Sequence, residues 1–187
     1  MSRVLIAPYS ERWPADFARL GRRLRSVLGD RARRIDHIGS TAVPGLDAKD
    51  RIDVQVAVAD LSDANPLGGA GLIEFAPASD HLPPGVGATP DGWQKRFSQS
   101  PPDERAANVH VRLDGRPNAR YALLFRDYLR AHPASASAYG DLKRRLAAEV
   151  GDVGRYTDVK DAACDLVIVA AEDWAASIGW QPGVSDA

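Results

Sequence analysis

Apolar and polar positions alternate most cleanly in two stretches of the chain. Ile52, Val54, Val56 and Val58 interleave with Asp53, Gln55 and Ala57; Val109, Val111 and Leu113 interleave with Asn108, His110 and Arg112. A period of two belongs to a strand with one face on a core. The spacing therefore predicts strands at Ile52 to Val58 and Asn108 to Leu113, with Asp53 and His110 opposite the valines. Arg33 to Ile38 reads as a strand entering a turn at Gly39. Arg3 to Ile6, Leu72 to Phe75 and Trp93 to Phe97 read as shorter strands.

Elsewhere the period lengthens to that of a helix. Phe17, Leu20, Leu24 and Leu28 follow Pro14, which suits a first helical turn, and Gly29 suits a stop. Leu61 to Leu72 has room for a short helix broken by Pro66 and Gly68-Gly69. Pro83 to Pro90 reads as a loop and Asp114-Gly115 as a turn. Helices then run over about 116–178. Tyr121, Leu124, Phe125, Tyr128 and Leu129 stripe the first, and Pro133 ends it and opens the second. Tyr139, Leu142 and Leu146 mark the second, which closes near Gly151. Tyr156 to Trp174 forms the third, with an apolar body at Leu166-Val167-Ile168-Val169. Strands first and helices last predict an α+β fold in one domain, 1–187: a small mixed sheet flanked by helices, with a C-terminal helical layer.

Composition changes this picture little. The chain is 44% hydrophobic and 26% charged, as globular proteins are, and its net charge is −1. That charge gives no basic field for nucleic acid, so none is expected as a partner. The arginine clusters Arg22-Arg23-Arg25 and Arg31-Arg33-Arg34 read as solvated surface. Cys164 stands alone among apolar neighbours and reads as a buried hydrophobe. The chain shows neither a signal pattern nor an apolar run long enough to span a bilayer. A cytoplasmic protein away from membranes is the expectation.

Candidate chemistry concentrates at His37-Ile38-Gly39-Ser40-Thr41-Ala42-Val43-Pro44-Gly45-Leu46-Asp47-Ala48-Lys49, just before the Asp53 strand. Backbone N–H groups and hydroxyls around Gly39, Ser40 and Thr41 suit an anion-binding concavity, and glycine admits close approach. An ordinary turn with its hydroxyls capping nearby backbone accounts for the motif equally well. His37 suits either the pocket lining or a structural pin on the loop. His110 suits a base or ligand, or a histidine hydrogen-bonded across the sheet. Asp50 reads as a surface partner of Lys49 or Arg51.

The same stretch resembles the GrpB (UPF0157-like) family, whose hallmark reads HIGSTxVPGLxAKPxID, and more broadly the signature of the DNA polymerase beta nucleotidyltransferase superfamily. Asp50 stands where the family carries proline. Ala7 to Pro14, Phe125 to Pro133, Tyr139, Leu142-Lys143, Tyr156 and Lys160 extend the resemblance along nearly the whole chain. It implies a nucleotidyltransferase-like fold that binds a nucleotide or phosphorylated small molecule with Mg2+ or Mn2+ and transfers a nucleotidyl group to a small acceptor. Asp53 would hold the metal and, with His110, carry catalysis. Gly39, Ser40, Thr41, Lys49, Arg126, Lys143 and Lys160 would take phosphate, with Arg96 nearby. His37, Gln55 and Tyr156 would line the pocket. Gln55 stands where the superfamily has a second acid. Family members joined to dephospho-CoA kinase imply the alternative of a non-catalytic accessory domain tied to coenzyme A metabolism or protein assembly.

Overall fold

A computed structural model describes residues 4–76, 78–84, 90–150 and 153–187. Helix α1 (Trp13–Leu28) starts with Pro14 in its first turn and stops at Gly29, whose φ of 55° favours glycine. Arg25 donates to the Gly29 carbonyl at 3.0 Å, satisfying an end group of the helix. Trp13, Phe17, Gly21, Leu24 and Leu28 form the buried stripe, while Leu20 packs only at its edge.

The strands are β1 (Ala32–Ile38), β2 (Ile52–Val58), β3 (Ile73–Glu74), β4 (Ala78–Ser79), β5 (Gln94–Gln99) and β6 (Ala107–Leu113). They form one sheet in the order β1-β2-β6-β5-β3, with β4 also paired to β5. The β2–β6 pair is parallel and the others are antiparallel, so the sheet is mixed. Residues 4–6 form no strand; their neighbour Ala7 makes a single bridge to Ala48. The physical reason is that Val4 packs with Ala147 and Tyr156 of the helical layer. Arg3, residues 85–89 of the expected loop and Gly151 lie outside the described residues.

Leu61–Ala70 is a run of tight 3-10 turns, which accommodates Pro66. Asp60 opens it by accepting from the Ser62 amide at 2.8 Å, and Asp63 accepts from the Asp60 amide at 3.0 Å. Helices α2 (Pro117–Ala131), α3 (Pro133–Glu149) and α4 (Val153–Ile178) form the C-terminal layer. Leu124, Phe125, Leu129, Tyr139, Ile168 and Ala171 pack at its centre. Of the apolar run at Leu166 to Val169, Ile168 is buried, whereas Leu166 and Val169 face outward, because neighbours on a helix lie about 100° apart. No helix among the described residues is long and apolar enough to cross a membrane.

Both faces of the sheet are covered. One packs Ile35, Ile52, Val54, Val56, Val58, Val109 and Val111 against α1. The other carries Asp53, Gln55, Asn108, His110 and Arg112, as alternation requires. On that second face the helical layer and the sheet leave a cleft.

Candidate functional site

The cleft encloses about 660 Å³. Its floor is the polar face of β2, β5 and β6; the Gly39-Ser40-Thr41 turn forms one rim; Tyr121 and Phe125 of α2, Lys143 of α3, and Tyr156 and Lys160 of α4 form walls. The structure thus brings Ser40, Asp53 and His110 to one cavity.

The turn is shaped by its contact with Asp53. Gly39 has φ of 70°, and a Cβ there would sit 2.6 Å from Asp53 Oδ2. Glycine is required both by the backbone angle and by the carboxylate beneath it. The turn's two hydroxyls already have partners: Ser40 Oγ accepts from Lys143 Nζ at 2.8 Å, and Thr41 Oγ1 meets His37 Nε2 at 3.0 Å. A serine hydroxyl that accepts one bond can still donate its own proton.

On the floor, Asn108 Nδ2 donates to Asp53 Oδ1 at 2.7 Å, and His110 Nε2 lies 3.7 Å from the same oxygen. Burial pushes the Asp53 carboxyl up. His110 and Asn108 outweigh it and hold the carboxyl below its ordinary value. Burial lowers the imidazole of His110, against the pull of Asp53. Lys95 Nζ approaches His110 Nδ1 at 3.4 Å. An ammonium only donates, which places the imidazole proton on Nε2, toward Asp53.

Deeper in the floor, Gln55 is fully buried. Its Oε1 accepts from Arg112 at 2.7 Å and its Nε2 donates to the Ala119 carbonyl at 3.1 Å. Gln55 therefore does not line the cleft as expected: both ends of its amide are spent inside the fold. Arg112 also grips Asp80 through two bonds, at 2.7 and 2.9 Å, and Asp80 takes further bonds from Lys95 at 2.5 Å and Asn118 at 3.1 Å. These cations overcome burial and hold the Asp80 carboxyl well below its usual range.

Three further expected site residues, His37, Arg126 and Arg96, lie elsewhere. His37 pairs in register with Val54, which turns it to the α1 face, where its ring stacks on Phe17 with centroids 4.7 Å apart. Burial drops its pKa to about 4, so it is a neutral pin on the turn. Arg126 is buried on α2 and donates to the His37 carbonyl and to Asp127 and Asp186 at 2.7–3.0 Å. Arg96 binds Glu74, Asn65 and the Leu61 carbonyl away from the cleft. Asp50 pairs with Arg105 at 2.5 Å and Trp13 Nε1 at 2.7 Å, not with Lys49 or Arg51. Asp80, Lys95 and Asn108 were not singled out from sequence, although Asn108 and Arg112 share the polar face of His110. Asp80 follows a two-residue strand and carries no periodic signal.

Lys49, Lys143 and Lys160 line the cleft. Lys49 lies over the Tyr156 ring at 4.4 Å and Lys143 over that of Tyr139 at 4.8 Å. Lys160 bonds Asp161 at 2.7 Å, and its ammonium is held above its ordinary pKa by Cys164 and Asp161, despite burial. Across the whole cleft, Lys49, Arg51, Lys95, Arg112, Lys143 and Lys160 face the carboxylates Asp53, Asp80 and Asp161. The donor set suits a divalent ion only in a limited way. Asp53 lies against the turn, and the described residues contain no group of three His, Cys, Asp or Glu able to hold a metal. A clamp for two ions does not fit. A single ion shared with a ligand's phosphates does, since Mg2+ is commonly held by one or two carboxylates plus phosphate oxygens.

Comparison with known proteins shows the family and the fold. The family model described as GrpB protein matches residues 3–169. This is a GrpB-family chain. It is 38% identical over 170 residues to a UPF0157 protein of Deinococcus radiodurans, covering 90% of this chain and 82% of that one. It is also 37% identical over 198 residues to a dephospho-CoA kinase of Mycolicibacterium paratuberculosis, covering 96% of this chain but 48% of the kinase. The GrpB chain thus spans about half the length of that relative. The crystal structure of the conserved protein GrpB from Enterococcus faecalis superimposes with a TM-score of 0.72 at 27% identity, over 91% of this chain and 99% of that one. A cytoplasmic RNA terminal U-transferase superimposes with a TM-score of 0.46 at 12% identity, over 73% and 40% of the two chains.

Proposed function

We propose that this GrpB-family chain binds a phosphorylated small molecule, a nucleotide in the first instance, with its phosphates between the Ser40 turn and α4. The observation that carries the reading is that Lys49, Lys160 and Ser40 line one cleft, where Lys143 Nζ lies 2.8 Å from Ser40 Oγ. Fixed cations and a hydroxyl donor are what phosphate oxygens need. Asp53 is the side chain that would hold a Mg2+ or Mn2+ ion brought with the phosphates, and the ion would supply neutralising charge there. The donor set favours binding over nucleotidyl transfer: Gln55 adds no charge, and Arg112 puts a cation where a second acid's charge would be needed.

The test is calorimetry of ATP and CTP, with and without Mg2+, against wild type, Lys160→Met and Asp53→Asn. Lys160→Met should weaken binding about tenfold or more in both conditions. Asp53→Asn should weaken it only when Mg2+ is present. Equal affinity in all three proteins would sink the reading. A second reading, an accessory unit tied to coenzyme A metabolism, is favoured by the half-length match to a dephospho-CoA kinase. Tight binding of a dephosphorylated coenzyme A precursor with no response to ATP or CTP would select it.

A further inference from the structure

Lys143 is buried, yet among the described residues no carboxylate is bonded to its Nζ. Its Nζ lies 2.8 Å from Ser40 Oγ and 2.5 Å from the Asp47 carbonyl oxygen, over the Tyr139 ring. All three partners are neutral. The Asp47 carboxylate is engaged elsewhere, by Arg144 and by the Tyr9 amide. The other charged or titratable groups that bear on Lys143 are Lys160 and Cys164 of α4 and Arg144 of its own helix. A buried ammonium without a counter-charge sheds its proton readily. Burial, reinforced by Lys160 and Arg144 and opposed by Cys164 and the Asp47 carboxylate, brings the Lys143 pKa down to about 7. As a neutral amine, Nζ donates one N–H to the Asp47 carbonyl and turns its lone pair to Ser40, whose hydroxyl becomes the donor. Ser40 itself borders the cleft, set there by the sharp turn at Gly39.

We propose that Ser40 is a nucleophile with Lys143 as its general base, acting on a carboxylic ester or thioester whose alcohol or thiol part carries phosphate. The phosphate part of that substrate class rests on the binding reading above, with Lys49 and Lys160 of the cleft taking the phosphate and the Ser40 hydroxyl left to meet the acyl carbon. In the first step Ser40 Oγ bonds to the acyl carbon, its proton passes to Lys143 Nζ, and the carbonyl π pair moves to oxygen. On collapse the acyl carbon–oxygen or carbon–sulfur bond breaks, and the leaving alcohol or thiol takes the proton from Nζ. Water then attacks the acyl-serine by the same route, releasing the acid and restoring Ser40. A lysine relieved of its charge by burial is suited to this role.

The experiment is covalent labelling by a fluorophosphonate, followed by intact mass and peptide mapping, with p-nitrophenyl acetate as a turnover probe. One adduct should form, at Ser40, with a rate that rises with pH about a midpoint near 7. Ser40→Ala should abolish it. Lys143→Arg keeps a cation but not a base near neutral pH, and should slow labelling about 100-fold or more. The wild-type pH profile needs no variant, so poor folding of Lys143→Arg would not spoil the test. Absence of a Ser40 adduct at pH 8.5, a rate flat from pH 6 to 8.5, or undiminished labelling in folded Lys143→Arg would each overturn the proposal. The labelling uses no nucleotide, so a negative calorimetric result would leave the nucleophile standing. A missing adduct would remove it whatever the calorimetry shows.

Discussion

Toward α1, strands β2 and β6 present Ile52, Val54, Val56, Val58, Val109 and Val111, all with 1% exposure or less. On the other face the same strands present Asp53, Gln55, Asn108, His110 and Arg112, of which Gln55 and Arg112 are also buried. The first face is stabilised by loss of apolar surface from water, about 1.5–3 kcal/mol for each large side chain. The second gains little net energy per hydrogen bond but is costly to leave unpaired. Alternation in these strands separates two kinds of burial, and only the polar kind leaves a cavity with chemistry in it.

The sharpest way to break the polar face is to remove the partly buried carboxylate on which its cations converge. Asp80 accepts from Arg112, Lys95 and Asn118, with its side chain 15% exposed and that of Arg112 6% exposed. Asp80→Ala should cost about 3–5 kcal/mol in urea unfolding, because it strands two cations rather than merely deleting a contact. Asp80→Asn keeps the shape and some of the bonds and should cost less. A loss under about 1 kcal/mol for Asp80→Ala would show that this face is not held by charge pairing.

His37 breaks the comparison in the other direction, as a titratable ring on the apolar face. Burial holds its folded pKa near 4, from an ordinary 6.5. The unfolded chain takes up the proton first as pH falls. The stability that His37 contributes is therefore intact above pH 6.5 and declines as pH falls toward 4. Its size is no more than about 3 kcal/mol across that window. His37→Gln, which still reaches toward Thr41 but does not titrate, should flatten the fall in urea midpoint between pH 6.5 and 4.5. Identical slopes in the two proteins would place the ring in a wetter environment than its stack on Phe17 implies.

How much of this was legible in the sequence follows from what periodicity encodes. The β2 and β6 strands, the α1 stripe and the shared polar face of Asp53, Gln55 and His110 are all period signals. Register is not. His37 looks like a pocket residue from its place beside Gly39, yet its pairing with Val54 sends it to the other face. Arg126 reads as a phosphate ligand by its neighbourhood, but it caps the His37 carbonyl and pairs with Asp186, 60 residues away. Asp80 was invisible because β4 has only two residues and no period to read. Gln55 reads as a pocket-lining residue at the second acid's position because sequence cannot say that Arg112 and Ala119 have already taken its amide.

That last point gives the smallest expected effect. If Gln55 were an open ligand position lacking only charge, Gln55→Glu would build a second acid beside Asp53 and tighten Mn2+ binding. The structure argues otherwise. Residue 55 has no exposed surface, and the group nearest its oxygen is the Arg112 guanidinium at 2.7 Å. A glutamate there would pair with Arg112 and compete with Asp80 for it, and its charge would be neutralised before it reached the cleft. It would also lose the donor to the Ala119 carbonyl, leaving that acceptor without this partner. Gln55→Glu should therefore leave Mn2+ affinity, measured by electron paramagnetic resonance of the free ion, within about twofold of wild type, while unfolding shifts by about 1–3 kcal/mol. A tenfold gain in Mn2+ affinity would show that the polar face can open to form a clamp, and the contrast between a closed polar network and an open cleft would have to be redrawn at Gln55.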